Sequence, residues 1–63
     1  MSQTHAILAH LRRSPITPIQ ALEVYGCFRL AARIEELRAA GHPIKTEWVR
    51  KGEKRFARYR LVA

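Results

Sequence analysis

The sequence has little sulfur and no long apolar run. Its 63 residues contain a single cysteine, Cys27, so an internal disulfide, the usual brace of small secreted domains, is excluded. No stretch approaches the roughly 20 consecutive apolar residues that a membrane-spanning helix needs. The first residues also lack the charged and apolar segments of a signal peptide. We therefore expect a cytoplasmic protein that makes no contact with a membrane.

Groups of residues that support catalysis or metal binding are also missing. His5 and His10 would lie on different sides of a helix, and Cys27 has no partner at metal-ligand spacing. Acidic residues are few and scattered, and no glycine-rich phosphate loop occurs. A chain this short has little room for both a core and an enclosed active site. We therefore expect no enzyme, no metal, no cofactor and no small-molecule substrate.

Positive charge is what the sequence has in excess. Twelve Lys and Arg residues against five Asp and Glu residues give a formal net charge of +7. The charge is uneven, because residues 28–63 hold ten of the basic and four of the acidic residues. This density suits a polyanionic partner. The distribution favours a binding face on the C-terminal half, and the alternative is a surface that only keeps the protein soluble.

Helix signals and the spacing of apolar residues predict three helices. They cover approximately residues 2–13, 17–25 and 28–40. The second helix begins at Thr17, because its side chain and that of Gln20 can form a capping box. Gly26 suits a tight turn before the third helix, since glycine adopts positive φ without a steric penalty. One apolar stripe of the third helix should face the core, and it consists of Leu30, Ile34 and Leu37.

The rest of the chain predicts a β-hairpin. Residues 44–50 and 55–62 are rich in β-branched and aromatic side chains, which are typical of strands. A four-residue loop over 51–54 pairs Glu47 with Arg58, so that unlike charges face each other. A two-residue Lys-Gly loop would instead oppose two cations, and we disfavour it.

The alternation of side chains along the hairpin predicts which of them face the core. Trp48 and Tyr59 share one face, and we expect them to cover the open side of the helices. Val49 and Phe56 fall on the other face, and we expect them to be exposed there. That exposed apolar pair is a candidate contact between copies of the chain.

This order of elements is that of a winged helix. We expect one α+β, mainly α, domain over residues 1–63, with a three-helix helix-turn-helix core followed by a two-stranded β-hairpin wing. Residues 16–22, 25–34 and 37–44 form a pattern into which Trp48 and residues 59–61 also fit. In this pattern the chain resembles the small helix-turn-helix domain common in phage and prophage proteins. The most specific piece of the resemblance is Arg-Leu-Ala-Ala-Arg-Ile at 29–34.

The resemblance implies a DNA-binding function, but it does not indicate a particular target sequence or pathway. In the older repressor-type motif the turn glycine comes one residue earlier than Gly26 does here, which implies a slightly longer turn. As a member of this kind of family, the chain would be a phage-type regulator or an excisionase-like accessory factor.

The third helix is the predicted reading helix for the major groove. Ala32 keeps its exposed side slim, Arg29 can reach a guanine edge, and Arg33 is placed for a phosphate. Glu36 can accept from a cytosine amine, or it can form an ion pair with Arg33. Phe28 either packs back against the start of the helix, which we favour, or contacts a thymine methyl group.

The hairpin is the predicted phosphate clamp. A basic ribbon of this kind lies along the backbone or enters the minor groove, although charge on an edge strand also prevents aggregation. Thr17 at the start of the second helix can hold a phosphate or serve only as a cap. The predicted phosphate contacts are Thr17, Lys45, Arg50, Lys51, Lys54, Arg55, Arg58 and Arg60.

We thus expect sequence-specific binding to double-stranded DNA in a nucleoid-associated protein. So short a reader covers few base pairs, which favours a homodimer or several copies on one site. Two alternatives stay open at this point. One is a protein-interaction module or inhibitor that uses the winged-helix surface, and the other is an RNA-binding protein.

Overall fold

The computed structural model describes residues 2–62, so both ends of the expected domain 1–63 lie outside the described residues. Three helices precede a two-stranded antiparallel sheet. This architecture confirms the mainly α, winged-helix fold. The elements are α1 (Gln3–Leu11), α2 (Pro18–Tyr25), α3 (Leu30–Ala39), β1 (Ile44–Lys51) and β2 (Lys54–Leu61).

Local signals set the ends of α2. The Thr17 hydroxyl accepts a hydrogen bond from the Gln20 amide at 3.2 Å, and the Gln20 side chain accepts one from the Thr17 amide at 3.0 Å. This is the expected capping box. At the other end, Gly26 adopts a left-handed conformation with φ of 64° and its amide bonds back to the helix.

The capping box gives a testable prediction for stability. We expect Thr17→Ala to lower the free energy of unfolding by about 1 kcal/mol, because it removes the acceptor for one amide at the start of the helix. Thr17→Ser keeps that acceptor and serves as the control. Urea denaturation followed by circular dichroism measures both. An equal loss in the two variants would contradict this role for the hydroxyl.

The third helix begins two residues later than the sequence predicts. Arg29 precedes it with φ of −123° and ψ of 62°, which are not helical values, and its side chain makes no capping hydrogen bond. The expected span of 28–40 is therefore too long at its start, and Phe28 and Arg29 belong to the turn. The first helix, Gln3–Leu11, is likewise shorter than the expected span of 2–13.

The hairpin has the expected register but a shorter loop. Glu47 pairs with Arg58 and Val49 with Phe56, as the charges and apolar side chains predicted. The ladder continues to a Lys51–Lys54 pair, so the loop is Gly52-Glu53 and the expected four-residue loop is wrong. Gly52 adopts φ of 63°, a conformation that a two-residue hairpin turn requires and glycine allows.

A bridge between Ile16 and Tyr59 ties the helices to the sheet. Each residue donates its amide to the carbonyl of the other at 2.9 Å. Ile16 is thereby held in the core, where its side chain is fully buried. The bridge is a single-residue pairing at the edge of β2 that is not shared with β1. This bridge could not be predicted from the sequence, because a single residue shows no alternation.

The core lies between the helices and the near end of the hairpin. Tyr59 packs partly buried against it, as expected. Trp48 does not, since it is 65% exposed, and its expected role in covering the core is wrong. Trp48 lies four residues beyond Ile44, about 13 Å further along the strand. The buried core residues are Ile7, Leu8, Leu11, Ile16, Ala21, Cys27, Leu30, Ile34, Leu37 and Ile44.

Candidate nucleic-acid interface

The exposed face of α3 is small and carries no net positive charge. Its buried stripe is the expected one, formed by Leu30, Ile34 and Leu37. The helix holds two arginines and two glutamates, so its net charge is zero. Ala32, which was expected on the exposed side of the helix, is half-buried. The helix can approach a groove closely, but it supplies little attraction to a polyanion.

Glu36 is held by two partners in the folded protein. The Thr4 hydroxyl donates to its carboxylate at 2.7 Å, and the Arg33 guanidinium donates to the other oxygen at 3.0 Å. The hydrogen bond from Thr4, followed by the charge and hydrogen bond of Arg33, lowers the pKa of Glu36. The geometry therefore favours the ion-pair interpretation of Glu36 over contact with a cytosine amine. Arg33 is half-buried and shares that ion pair.

Arg38 is a structural residue that the sequence analysis did not single out. Its guanidinium donates to the Ile44 carbonyl at 2.9 Å and to the Thr46 hydroxyl at 2.9 Å. It also forms an ion pair with Glu35 at 2.7 Å. These contacts tie the end of α3 to the start of β1. Both cations of α3 are thus engaged within the protein.

The turn before α3 presents Phe28 and Arg29 to solvent. Phe28 is 85% exposed, so the expectation that it packs against the start of the helix is wrong. The residues on either side of this pair, Cys27 and Leu30, are buried, at 2% and 3% exposure. Because the turn is anchored on both sides, the two residues between the anchors point outward together.

The tip of the hairpin, defined as residues 50–55, concentrates positive charge. Arg50 faces Arg55, and Lys51 faces Lys54, directly across the ladder. All four side chains are exposed, and within residues 2–62 none of them forms an ion pair. Like charges placed directly opposite each other destabilise a hairpin. The Arg55 guanidinium lies 5.1 Å from the centre of the Trp48 ring, which offsets a small part of that repulsion.

Further along the hairpin, one carboxylate neutralises part of the charge. Arg58 and Arg60 both donate to Glu47 at 3.2 Å. Partial burial raises the pKa of the Glu47 carboxyl, but the hydrogen bonds and charges of the two arginines outweigh it, and the net pKa is lowered. Lys45, which pairs with Arg60 across the ladder, is exposed. This part of the hairpin is therefore less available to phosphate than the tip.

The two lowered glutamate pKa values predict a loss of stability in acid. A carboxyl whose folded-state pKa is lowered stabilises the fold above its unfolded value of about 4.3, and this stability is lost as pH falls through the folded-state value. We expect Glu47→Gln to weaken that acid dependence, because glutamine cannot titrate. Urea denaturation at several pH values between about 7 and 3 measures it. Glu53→Gln is the control, and an equally weakened dependence there would contradict the role of Glu47.

The start of α2 and the outer face of the hairpin meet in a shallow groove. Thr17 and Arg58, both predicted phosphate contacts, line it together. Val49 and Phe56 also line it, and both are half-buried, so their expected exposure on an open outer face is wrong. Ser14 and Pro15, just before the Ile16 bridge, line the same groove. The groove has a volume of about 310 Å³.

A separate cleft, lined by three arginines, was not predicted from the sequence. Arg12 and Arg13, at the end of α1, line it with Arg60 near the end of β2, and its volume is about 240 Å³. The adjacent arginines were the only sequence signal. Along β2 this cleft lies at the opposite end from the hairpin tip.

Neither a metal cluster nor a membrane span is found in the described part of the chain. Within residues 2–62, no three His, Cys, Asp or Glu residues come together in a way that could hold a metal ion. None of the helices described there is long and apolar enough to cross a membrane.

Three helices with a tight turn before the third, followed by a basic antiparallel hairpin, define a winged helix-turn-helix domain. Comparison with protein families agrees with this assignment. The family described as "Winged helix-turn-helix domain" matches residues 2–63, and the chain belongs to it. Searches of curated proteins and of solved structures gave no match.

Proposed function

We propose that this domain binds double-stranded DNA in a sequence-specific manner, as a phage-type transcriptional regulator or an excisionase-like accessory factor on the nucleoid. Winged helix-turn-helix modules are built to place a helix in the major groove and a hairpin beside it. The domain acts as a binding module and not as an enzyme. A homodimer, or several copies on one site, supplies the length of DNA that one copy cannot cover.

The observation that carries this proposal is the pair of like-charge contacts at the hairpin tip. Arg50 opposes Arg55 and Lys51 opposes Lys54, with no carboxylate bonded to any of them among residues 2–62. A hairpin that only needed solubility could alternate its charges, as Glu47 and Arg58 do. The tip carries four cations against one carboxylate, Glu53, and this excess of positive charge suits the regular negative charge of a phosphate backbone.

The salt dependence of binding tests the electrostatic part of the proposal. Each neutralised phosphate contributes about 0.9 to the slope of log affinity against log salt, so four tip contacts predict a slope of about −4 or steeper. Fluorescence anisotropy with a labelled duplex measures the slope. Absence of duplex binding at low salt would refute the proposal.

Competition experiments test the remaining parts. Unlabelled structured RNA should displace the labelled duplex less well than duplex DNA does, and stronger displacement by RNA would favour the RNA-binding alternative. Selection from a random pool of duplexes should enrich a defined sequence. Equal affinity for every duplex at physiological salt would contradict a specific regulator.

One observation favours a protein-interaction module as the second candidate. Helix α2 exposes two large apolar side chains, Ile19 and Val24, at 65% and 62% exposure. Apolar side chains there are of no use to phosphate binding, but they can contact a protein partner. A complex with an acidic protein that survives high salt, together with no duplex binding, would support this candidate over the first.

A further inference from the structure

The turn between α2 and α3 holds an aromatic side chain and a cation side by side in solvent. Phe28 is 85% exposed, the highest value among the large apolar side chains of residues 2–62. Arg29 follows it, is exposed, and forms no ion pair within the same residues. Aromatic and arginine side chains are the residues that most often dominate the energetics of binding interfaces.

Contacts of the residues just before Phe28 hold this turn in place. The Cys27 amide donates to the Ala21 carbonyl at 3.0 Å, and the Cys27 side chain is buried. The Gln3 side chain donates to the carbonyls of Tyr25 and Gly26 at 3.4 Å. A fixed backbone limits the entropy lost when the two exposed side chains bind.

The cations within α3 are less available than Arg29, which immediately precedes it. Arg33 is bonded to Glu36, and Arg38 is bonded to Glu35 and to the backbone of β1. Contact with a base would require either arginine to leave an existing partner. Arg29 has no such partner in the described residues.

We propose that the Phe28-Arg29 turn, and not the face of α3, reads base identity. In this arrangement, which rests on the proposed function, Phe28 contacts the methyl group of a thymine, and Arg29 donates to N7 and O6 of a guanine in the adjacent base pair. Consecutive Cα atoms are about 3.8 Å apart, close to the base-pair rise of about 3.4 Å. The chemistry of both contacts belongs to the major groove, where the thymine methyl and the guanine acceptors lie.

Single-atom changes in the DNA test the two contacts separately. The starting duplex is the one that random-pool selection enriches with the unaltered protein. Deoxyuridine in place of each thymine removes only the methyl group, and 7-deazaguanine in place of each guanine removes only the N7 acceptor. We expect one thymine and one neighbouring guanine to be sensitive, with affinity losses of about 5-fold or more.

Protein variants assign each contact to its residue. We expect Phe28→Ala to bind the thymine and deoxyuridine duplexes equally, while keeping the sensitivity to 7-deazaguanine. Arg29→Ala should show the reverse pattern. Ile19→Ala and Arg12→Ala change an exposed apolar and an exposed basic residue outside the turn, and both should keep the two sensitivities. Thermal melts confirm that each variant is folded.

Several outcomes would overturn the inference. One is that no thymine methyl affects binding, and another is that the effect persists in Phe28→Ala. A third is that light scattering shows a dimer for the unaltered protein and a monomer for Phe28→Ala, while Phe28→Ala still distinguishes thymine from deoxyuridine. That result would assign Phe28 to the contact between copies. Salt-dependent binding without any base preference refutes only this inference, whereas absence of duplex binding refutes the proposed function itself.

Discussion

Replacing Arg50 and Lys54 together by glutamate is expected to lower the affinity for duplex DNA by about 100-fold at 0.1 M salt. A slope of 0.9 per phosphate contact makes each contact worth about 8-fold at that concentration relative to 1 M salt. Two lost contacts therefore account for about 60-fold, and repulsion between the new carboxylates and the phosphates adds to it. The slope against salt should fall by about 2.

The same double variant is expected to stabilise the free protein. The new carboxylates would face Arg55 and Lys51, and both like-charge pairs of the tip would become pairs of opposite charge. Each such exchange is worth about 0.2–1 kcal/mol in an antiparallel pair. Urea denaturation measures this gain, and anisotropy measures the loss of affinity. A higher free energy of unfolding together with a lower affinity would show that the cations of the tip promote DNA binding and destabilise the free protein.

A matched control separates the position of the charge from its amount. Replacing Arg12 and Arg13 by glutamate changes the net charge by the same amount as the double variant of the tip. Both arginines are exposed, and they lie near Arg60, at the end of β2 that is far from the tip. We expect an affinity loss of less than about 10-fold there, because only long-range repulsion acts. Carboxylates near the end of α1 should slightly destabilise the protein. If both double variants lose the same affinity, binding depends on net charge and the tip has no special role.

Replacing Ile34 by alanine is expected to remove a large share of the protein's stability, about 2–5 kcal/mol of its free energy of unfolding. Ile34 is fully buried between α3 and the rest of the core. A buried Ile→Ala change costs about 2–5 kcal/mol, from lost burial and from the cavity that remains. At about 0.05–0.15 kcal/mol per residue, a domain of this length has only about 3–9 kcal/mol in total. Circular dichroism during thermal unfolding measures the loss.

The chain offers the same substitution at an exposed position as a control. Ile19 lies on α2 with 65% of its surface exposed. We expect Ile19→Ala to change stability by less than about 0.5 kcal/mol, because little burial is lost. Similar melting temperatures for the two variants would contradict the placement of Ile34 in the core.

Interactions between near neighbours could be predicted from the sequence. The Thr17–Gln20 capping box joins residues three positions apart, and its geometry follows from the helix backbone alone. The pairing of Glu47 with Arg58 follows from alternation and from charge on two adjoining strands. The length of the hairpin loop did not follow, because the same register fits both a four-residue loop and a ladder that continues to Lys51 and Lys54.

Interactions between distant parts of the chain could not be predicted. Glu36 is bonded to Thr4, 32 residues away, and no periodicity in the sequence connects the two. The exposure of Phe28 depends on where Cys27 and Leu30 are anchored, which only the packed helices define.

By itself, the sequence determined the order of the helices, the register of the hairpin and the excess of positive charge in its C-terminal half. These properties depend on local backbone preferences and on composition. Only the tertiary structure decided which of the charges remain available. It engages Arg33, Arg38, Arg58 and Arg60 with partners inside the protein and leaves the hairpin tip and Arg29 facing solvent. The reason is physical: a cation is neutralised by whichever carboxylates and carbonyls packing brings near it, and packing is a property of the whole chain.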